Sequence, residues 1–198
     1  MRLFFALWPD VDERAHTAKA AAALSLAGGV RFVPCENYHL TLAFVGEVEE
    51  SRLELLRQIG REQRSTACTV PFHGYEYWPH SRVVVAVASE MPSALLDLWA
   101  TLHRDLARQP ALDSHRDRVS PRAPPHAGLR GHVTLVRKVA QPPVLNAMPP
   151  FVWSARAFSL IRSEIGGAQS VYTVVDTWQL LDERRETTEI SANSTHMR

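Results

Sequence analysis

The sequence predicts an α+β fold of two similar lobes around a cleft, and three observations carry that prediction. Candidate strands and helices alternate along the chain. Strand–helix–strand occurs in each half, and each half holds one apolar strand headed by His-x-Thr. The length of 198 residues fits one domain, or two small lobes sharing a core. We expect a single bilobal domain over residues 1–181 and a charged, hydroxyl-rich surface extension over 182–198.

Each element has a local reason. Arg2–Trp8 is apolar, lacks a small-residue cleavage site after it, and reads as a first strand rather than a signal peptide. Pro9 and Asp10 then open a helix to about Ser25, closed by Gly28-Gly29. Val30–Val33 is a short extended piece before Pro34, and His39–Val45 is a strand stopped by Gly46. Glu49–Arg64 carries Leu53, Leu56 and Ile59 at helical spacing. Thr69–Trp78 and Arg82–Ala88 form a hairpin through Pro79-His80-Ser81. A third helix, Met91–Arg108, aligns Leu95, Leu98, Leu102 and Leu106 along one face. Between Gln109 and Arg130 lies a polar stretch long enough to be a lid or an insert. His132–Val139 is another strand, Pro142–Met148 a short helix or turn, and Phe151–Ile161 with Val171–Leu181 a closing pair of strands.

Composition limits the function. With 45% hydrophobic and 22% charged residues the chain has ordinary globular usage. No apolar run approaches the roughly 18 residues of a membrane helix, so no membrane contact is expected. A net charge of +1 is too balanced for binding nucleic acid by bulk electrostatics, so any phosphate recognition must be local. Cys35 and Cys68 are too few for a disulfide framework or a zinc site. We therefore expect reduced cysteines, a cytoplasmic location, no cofactor and no metal, and a monomer.

The chemistry resides in His39-Leu40-Thr41-Leu42 and His132-Val133-Thr134-Leu135. Residues i and i+2 of a strand share a face, so His39 pairs with Thr41 and His132 with Thr134 while the apolar neighbours point into the packing. Two strands of this kind side by side would line one cleft with four polar groups. A neutral imidazole accepts a proton from water and an imidazolium gives one to a leaving oxygen. Threonine hydroxyls donate to phosphate oxygens, whose charge such a site must stabilise. Strand parity also puts Arg130 on the cleft face, whereas Arg137 lies an odd number of residues past His132 and would need a bulge to return. Both suit phosphate contacts. Phe5, Tyr38 and Tyr172 are candidates for stacking against a terminal base.

These motifs, with the start RLFFALWP, the phrase ENYHLTLAFVGEV and the later HVTLVRK, resemble the bacterial RNA 2′,3′-cyclic phosphodiesterases of the two-histidine phosphoesterase superfamily, also called 2′-5′ RNA ligase-like proteins. The pattern Ser163…Tyr172…Trp178 resembles that family's C-terminal strands, and the likeness runs to about Leu181. The resemblance implies two pseudo-symmetric, mainly antiparallel sheets flanked by helices around a central cleft. It implies that His39 is the proton donor, that His132 is the proton acceptor, and that Thr41 and Thr134 bind phosphate. The implied substrates are RNA ends or nucleotides bearing a 2′,3′-cyclic phosphate, opened to a 2′-phosphomonoester, with 2′-5′ ligation as the reverse-type activity. Two other readings stand beside it: the same chemistry on a small cyclic nucleotide or ADP-ribose cyclic phosphate, and a non-catalytic RNA- or nucleotide-binding module. Gly131 departs from the family pattern, where proline commonly precedes the second histidine, and the stretch 113–128 is longer and more basic than the family's usual one.

Overall fold

A computed structural model describes residues 1–26, 28–109, 128–166 and 169–182. Nine strands form two antiparallel sheets among the described residues. The first has the order β3-β1-β8-β9, from β3 (Leu40–Glu47), β1 (Arg2–Leu7), β8 (Ala157–Gly166) and β9 (Gln169–Gln179). The second has the order β2-β6-β5-β4-β7, from β2 (Arg31–Phe32), β6 (His132–Arg137), β5 (Val83–Ala88), β4 (Cys68–Trp78) and β7 (Phe151–Ala155). Apart from β2, the sheets correspond strand by strand, with a motif strand on the edge or next to it and its apolar partner, β1 or β5, beside it. Both partners are covered on both faces, which is why RLFFAL and VVVAVA read as nearly continuous apolar runs.

Helix α1 (Val11–Ala22) starts where a capping box closes it. The Glu13 amide donates to Asp10 Oδ1 at 2.9 Å and the Asp10 amide to Glu13 Oε2 at 2.9 Å. Asp10 is the cap, with Pro9 just ahead of it rather than in the first turn. The second oxygen of Glu13 accepts the Ser154 amide of β7, and Thr17 accepts from the Trp153 indole at 3.0 Å. This helix, which follows β1, therefore packs on the second sheet. Conversely α3 (Ser93–Ala107), which follows β5, packs on β3 of the first. Its Leu95, Leu98, Leu102 and Leu106 are all buried. Each lobe is thus covered by a helix from the other half of the chain. Helix α2 (Leu53–Glu62), preceded by a 3₁₀ turn at Glu50–Arg52, packs on β9 through Gly60, which lies against the Trp178 ring.

Three expectations are corrected. Phe151–Ile161 is not one strand: β7 and β8 join different sheets, and the chain changes lobe at Arg156. The alternation of buried and exposed residues holds through Ala155 and gives way to the continuous buried run Phe158–Ile161, and the pairing partners, β4 and β1, divide the two strands. Pro142–Met148 forms no helix or turn but an irregular segment, since the prolines at 142, 143, 149 and 150 remove amide donors. Strand β3 does not stop at Gly46 but runs to Glu47, with Gly46 at a positive φ of 89° that glycine adopts without strain. Most of the stretch 113–128 and all but the first residue of 182–198 lie outside the described residues. No described helix is long and apolar enough to cross a membrane.

Candidate active site

The two motif strands approach each other at the junction of the sheets. Leu40, Leu42, Val133 and Leu135 are buried, whereas His39, Thr41, His132 and Thr134 are only partly so, as strand parity requires. Both histidines are oriented alike. His39 Nδ1 lies 2.7 Å from the Asn37 carbonyl and His132 Nδ1 2.9 Å from the Arg130 carbonyl. A carbonyl only accepts, so each Nδ1 carries the hydrogen while neutral, and each Nε2 presents a lone pair. The Thr41 and Thr134 hydroxyls have no protein partner among the described residues.

A shared irregularity shapes both strands. On β3 Thr41 pairs with Ala6 and Ala43 with Phe5, leaving Leu42 without a counterpart. On β6 Thr134 pairs with Val85 and Val136 with Val84, leaving Leu135 without one. Each strand bulges at the residue after its threonine, and the bulge reverses the parity beyond it. Arg137, facing away in an ideal strand, is thereby returned to the cleft side, where its charge acts on both histidines. Arg31 stands directly across from it on β2. Phe44 occupies the equivalent place on β3 and is 57% exposed.

The histidines sit in aromatic settings. The Trp8 ring stacks on His39 at 5.8 Å, Phe4 lies at 5.0 Å, and Tyr172 meets it edge-on at 5.2 Å. Burial, and next the charges of Arg137 and His132, push the His39 pKa down to about 4, against an opposing hydrogen bond to Asn37. His132 lies 4.3 Å from Trp78. Its pKa is also lowered, by burial first and then by the Arg130 and Arg137 charges, while the Asn37-like bond to the Arg130 carbonyl and the Glu76 carboxylate oppose the shift. Both imidazoles are therefore neutral at pH 7. Among the described residues no cluster of three or more His, Cys, Asp or Glu side chains offers a metal site.

The structure brings together His39, Thr41, His132, Thr134, Arg137 and Tyr172. Arg130 is near but engaged: its guanidinium is ion-paired with Glu76 and lies 5.4 Å over the Trp78 ring. Phe5 and Tyr38 are not stacking faces. Phe5 is fully buried against Phe158 and Trp178, because β1 turns Phe4 rather than Phe5 toward the cleft. Tyr38, at 3% exposure, belongs to the core. Sequence reasoning missed Trp8, Phe4, Glu76, Trp78 and Phe44. Glu76 and Trp78 share a strand face by spacing, yet only the tertiary structure brings the Trp78 ring to 4.3 Å from His132 and the Glu76 charge to act on it. Gly131 also has its reason: a Cβ there would come within 2.3 Å of Met91 Sδ, so Met91 occupies the space a side chain would need.

Two matched sheets, each delivering a His-x-Thr strand to one junction, define the two-histidine phosphoesterase class. Residues 7–85 match the family model described as LigT like Phosphoesterase. The chain is 29% identical over 181 residues to the RNA 2′,3′-cyclic phosphodiesterase of Escherichia coli, covering 90% of this chain and 96% of that one. It is 29% identical over 192 residues to the protein of that name from Thermus thermophilus, covering 92% of each. The crystal structure of E. coli LigT complexed with ATP superposes with a TM-score of 0.76 at 25% identity, covering 91% of this chain and 98% of that one. Its complex with 3′-AMP gives 0.75 at 25%, with 91% and 98% covered. The chain is thus similar to LigT-like phosphoesterases, by the family model over residues 7–85 and by relatives and solved structures over nine-tenths of its length.

Proposed function

We propose that this protein hydrolyses 2′,3′-cyclic phosphate ends of RNA to 2′-phosphomonoesters by acid–base catalysis between His39 and His132. The observation carrying this reading is the matched pair of His-x-Thr strands, each with its Nε2 lone pair presented and its threonine hydroxyl without a partner among the described residues. Water attacks phosphorus as His132 takes its proton; the P–O3′ bond breaks and O3′ takes a proton from His39. Thr41, Thr134 and Arg137 hold the non-bridging oxygens, where charge must be stabilised. Arg130 adds positive potential and reaches phosphate only by leaving Glu76.

As donor, His39 needs a proton that its lowered pKa does not hold at neutral pH. The substrate supplies the reason to take one up: a phosphodiester anion offsets the Arg137 charge and favours the imidazolium. Tyr172 is the aromatic of the original three whose placement fits a base contact. With a 5′-hydroxyl in place of water, the same ring opening forms a P–O5′ bond as the P–O3′ bond breaks and O3′ takes the proton, the basis for 2′-5′ ligation. The reading includes a monomeric enzyme of the cytoplasm acting without metal.

The test is turnover of cytidine 2′,3′-cyclic phosphate and of an RNA ending in one, with chelator present. The expected product is the 2′-phosphate, and His39→Ala and His132→Ala each lose at least about 10²-fold in kcat, the lower range for general acid–base catalysis. Unimpaired turnover in either variant contradicts the mechanism. A strong preference for the mononucleotide or for ADP-ribose cyclic phosphate would instead select the small-substrate reading.

A further inference from the structure

The two bulges are closed by residues from opposite halves of the chain. A bulged residue leaves the ladder, and a buried carbonyl without a donor is costly. The Leu135 carbonyl accepts the Val33 amide at 2.8 Å, and the Leu42 carbonyl accepts from His103 Nε2 at 3.1 Å. Val33 lies in the segment that leads from α1 into the first motif. His103 lies on α3, the helix that leads toward the second. Each motif is therefore held by the segment that precedes the other. The correspondence extends to the acceptor atom: in both cases it is the carbonyl of the leucine after the phosphate-facing threonine.

From this geometry we propose that His103 is a positioning residue for the first motif, forming with Val33 a reciprocal clasp that fixes both bulges. The bulge at Leu42 decides how Thr41 is presented and turns Phe44 toward the cleft side, so loosening it misplaces the first motif without removing any group that touches substrate. The two clasps differ in kind. Val33 holds Leu135 through its backbone, which substitution leaves in place; His103 holds Leu42 through a side chain, with Trp99 packed 4.6 Å from its ring. A carbonyl only accepts, so His103 must carry its hydrogen on Nε2. The kinetic part of this proposal rests on the hydrolytic reading above; the tautomer does not.

The test compares His103→Gln, which keeps a donor of similar reach, with His103→Met, an apolar chain of similar length. On a cyclic-phosphate substrate the glutamine variant retains kcat within roughly twofold, while the methionine variant loses roughly tenfold in kcat with KM nearly unchanged, as a misplaced catalytic group implies. Equal activity of both variants, or equal loss in both at matched thermal stability, overturns the proposal. If the methionine variant does not fold, the glutamine variant decides: native kcat supports the clasp, and loss with a native circular-dichroism spectrum overturns it. Independently, a long-range ¹H–¹⁵N spectrum of the wild-type protein must show His103 as the Nε2–H tautomer; the Nδ1–H form overturns the proposal. Failure of wild-type turnover would remove the hydrolytic reading while leaving that spectrum to judge the clasp.

Discussion

His39 is the residue whose surroundings act on it most. Trp8, Phe4 and Tyr172 replace water around its ring, and its pKa falls from 6.5 to about 4. Two outcomes follow at this scale. In the free enzyme both histidines titrate below the ordinary range, so the optimum of kcat/KM lies on the acid side of 6.5. The substrate anion favours imidazolium, so the descending limb of kcat lies at higher pH. Paired pH profiles check both, and a kcat/KM optimum above pH 7 contradicts the first. Stability responds too. Between pH 6.5 and about 4 the unfolded chain binds a proton at this histidine while the folded chain does not. Stability is then lost as pH falls through that window, by on the order of 3 kcal/mol for this group. Urea titrations across that range measure the slope, which His39→Asn flattens. Glu76 opposes the lowering at His132, so Glu76→Gln moves that residue further down, read by NMR titration of its ring.

At the level of elements, close approaches decide what substitutions cost. Gly60 faces the Trp178 ring, where a Cβ would lie 2.4 Å from the nearest ring atom. That indole is packed between Phe5 and Phe158 and has little room to yield. Alanine is the better helix former by about 1 kcal/mol, yet overpacking costs about 1–3 kcal/mol. Gly60→Ala therefore destabilises on balance, measured as a lower urea midpoint at constant slope; a raised midpoint contradicts the packing argument. The site's elements were legible where local pattern suffices: β1, α1, the β4–β5 hairpin and α3 follow from apolar spacing and caps. Phe151–Ile161 was not, because a run of apolar residues reports burial without naming the sheet that buries it.

Across the whole molecule, the exchange of helices between lobes matters more than either sheet alone. Helix α1 covers the second sheet and α3 the first, and the reciprocal bonds at Leu42 and Leu135 cross between the two halves. Neither lobe retains its covering helix if the other unfolds. Equilibrium unfolding is thus expected as one transition, with tryptophan fluorescence and far-UV circular dichroism coinciding. Two separated transitions would show that the lobes are independent.

The sequence by itself determined the candidate chemistry: two His-x-Thr strands, their parity, and a balanced charge that limits any phosphate recognition to local contacts. Those features depend on residue identity and the two-residue period of a strand, which a chain carries locally. Only the tertiary structure decided the environment of that chemistry. It returned Arg137 to the cleft through a bulge, engaged Arg130 with Glu76, buried Phe5 and Tyr38, and brought Trp8, Trp78 and His103 to the motifs. Each depends on strand register or on a partner far away in the chain, and a one-residue change in register reverses every side chain beyond it.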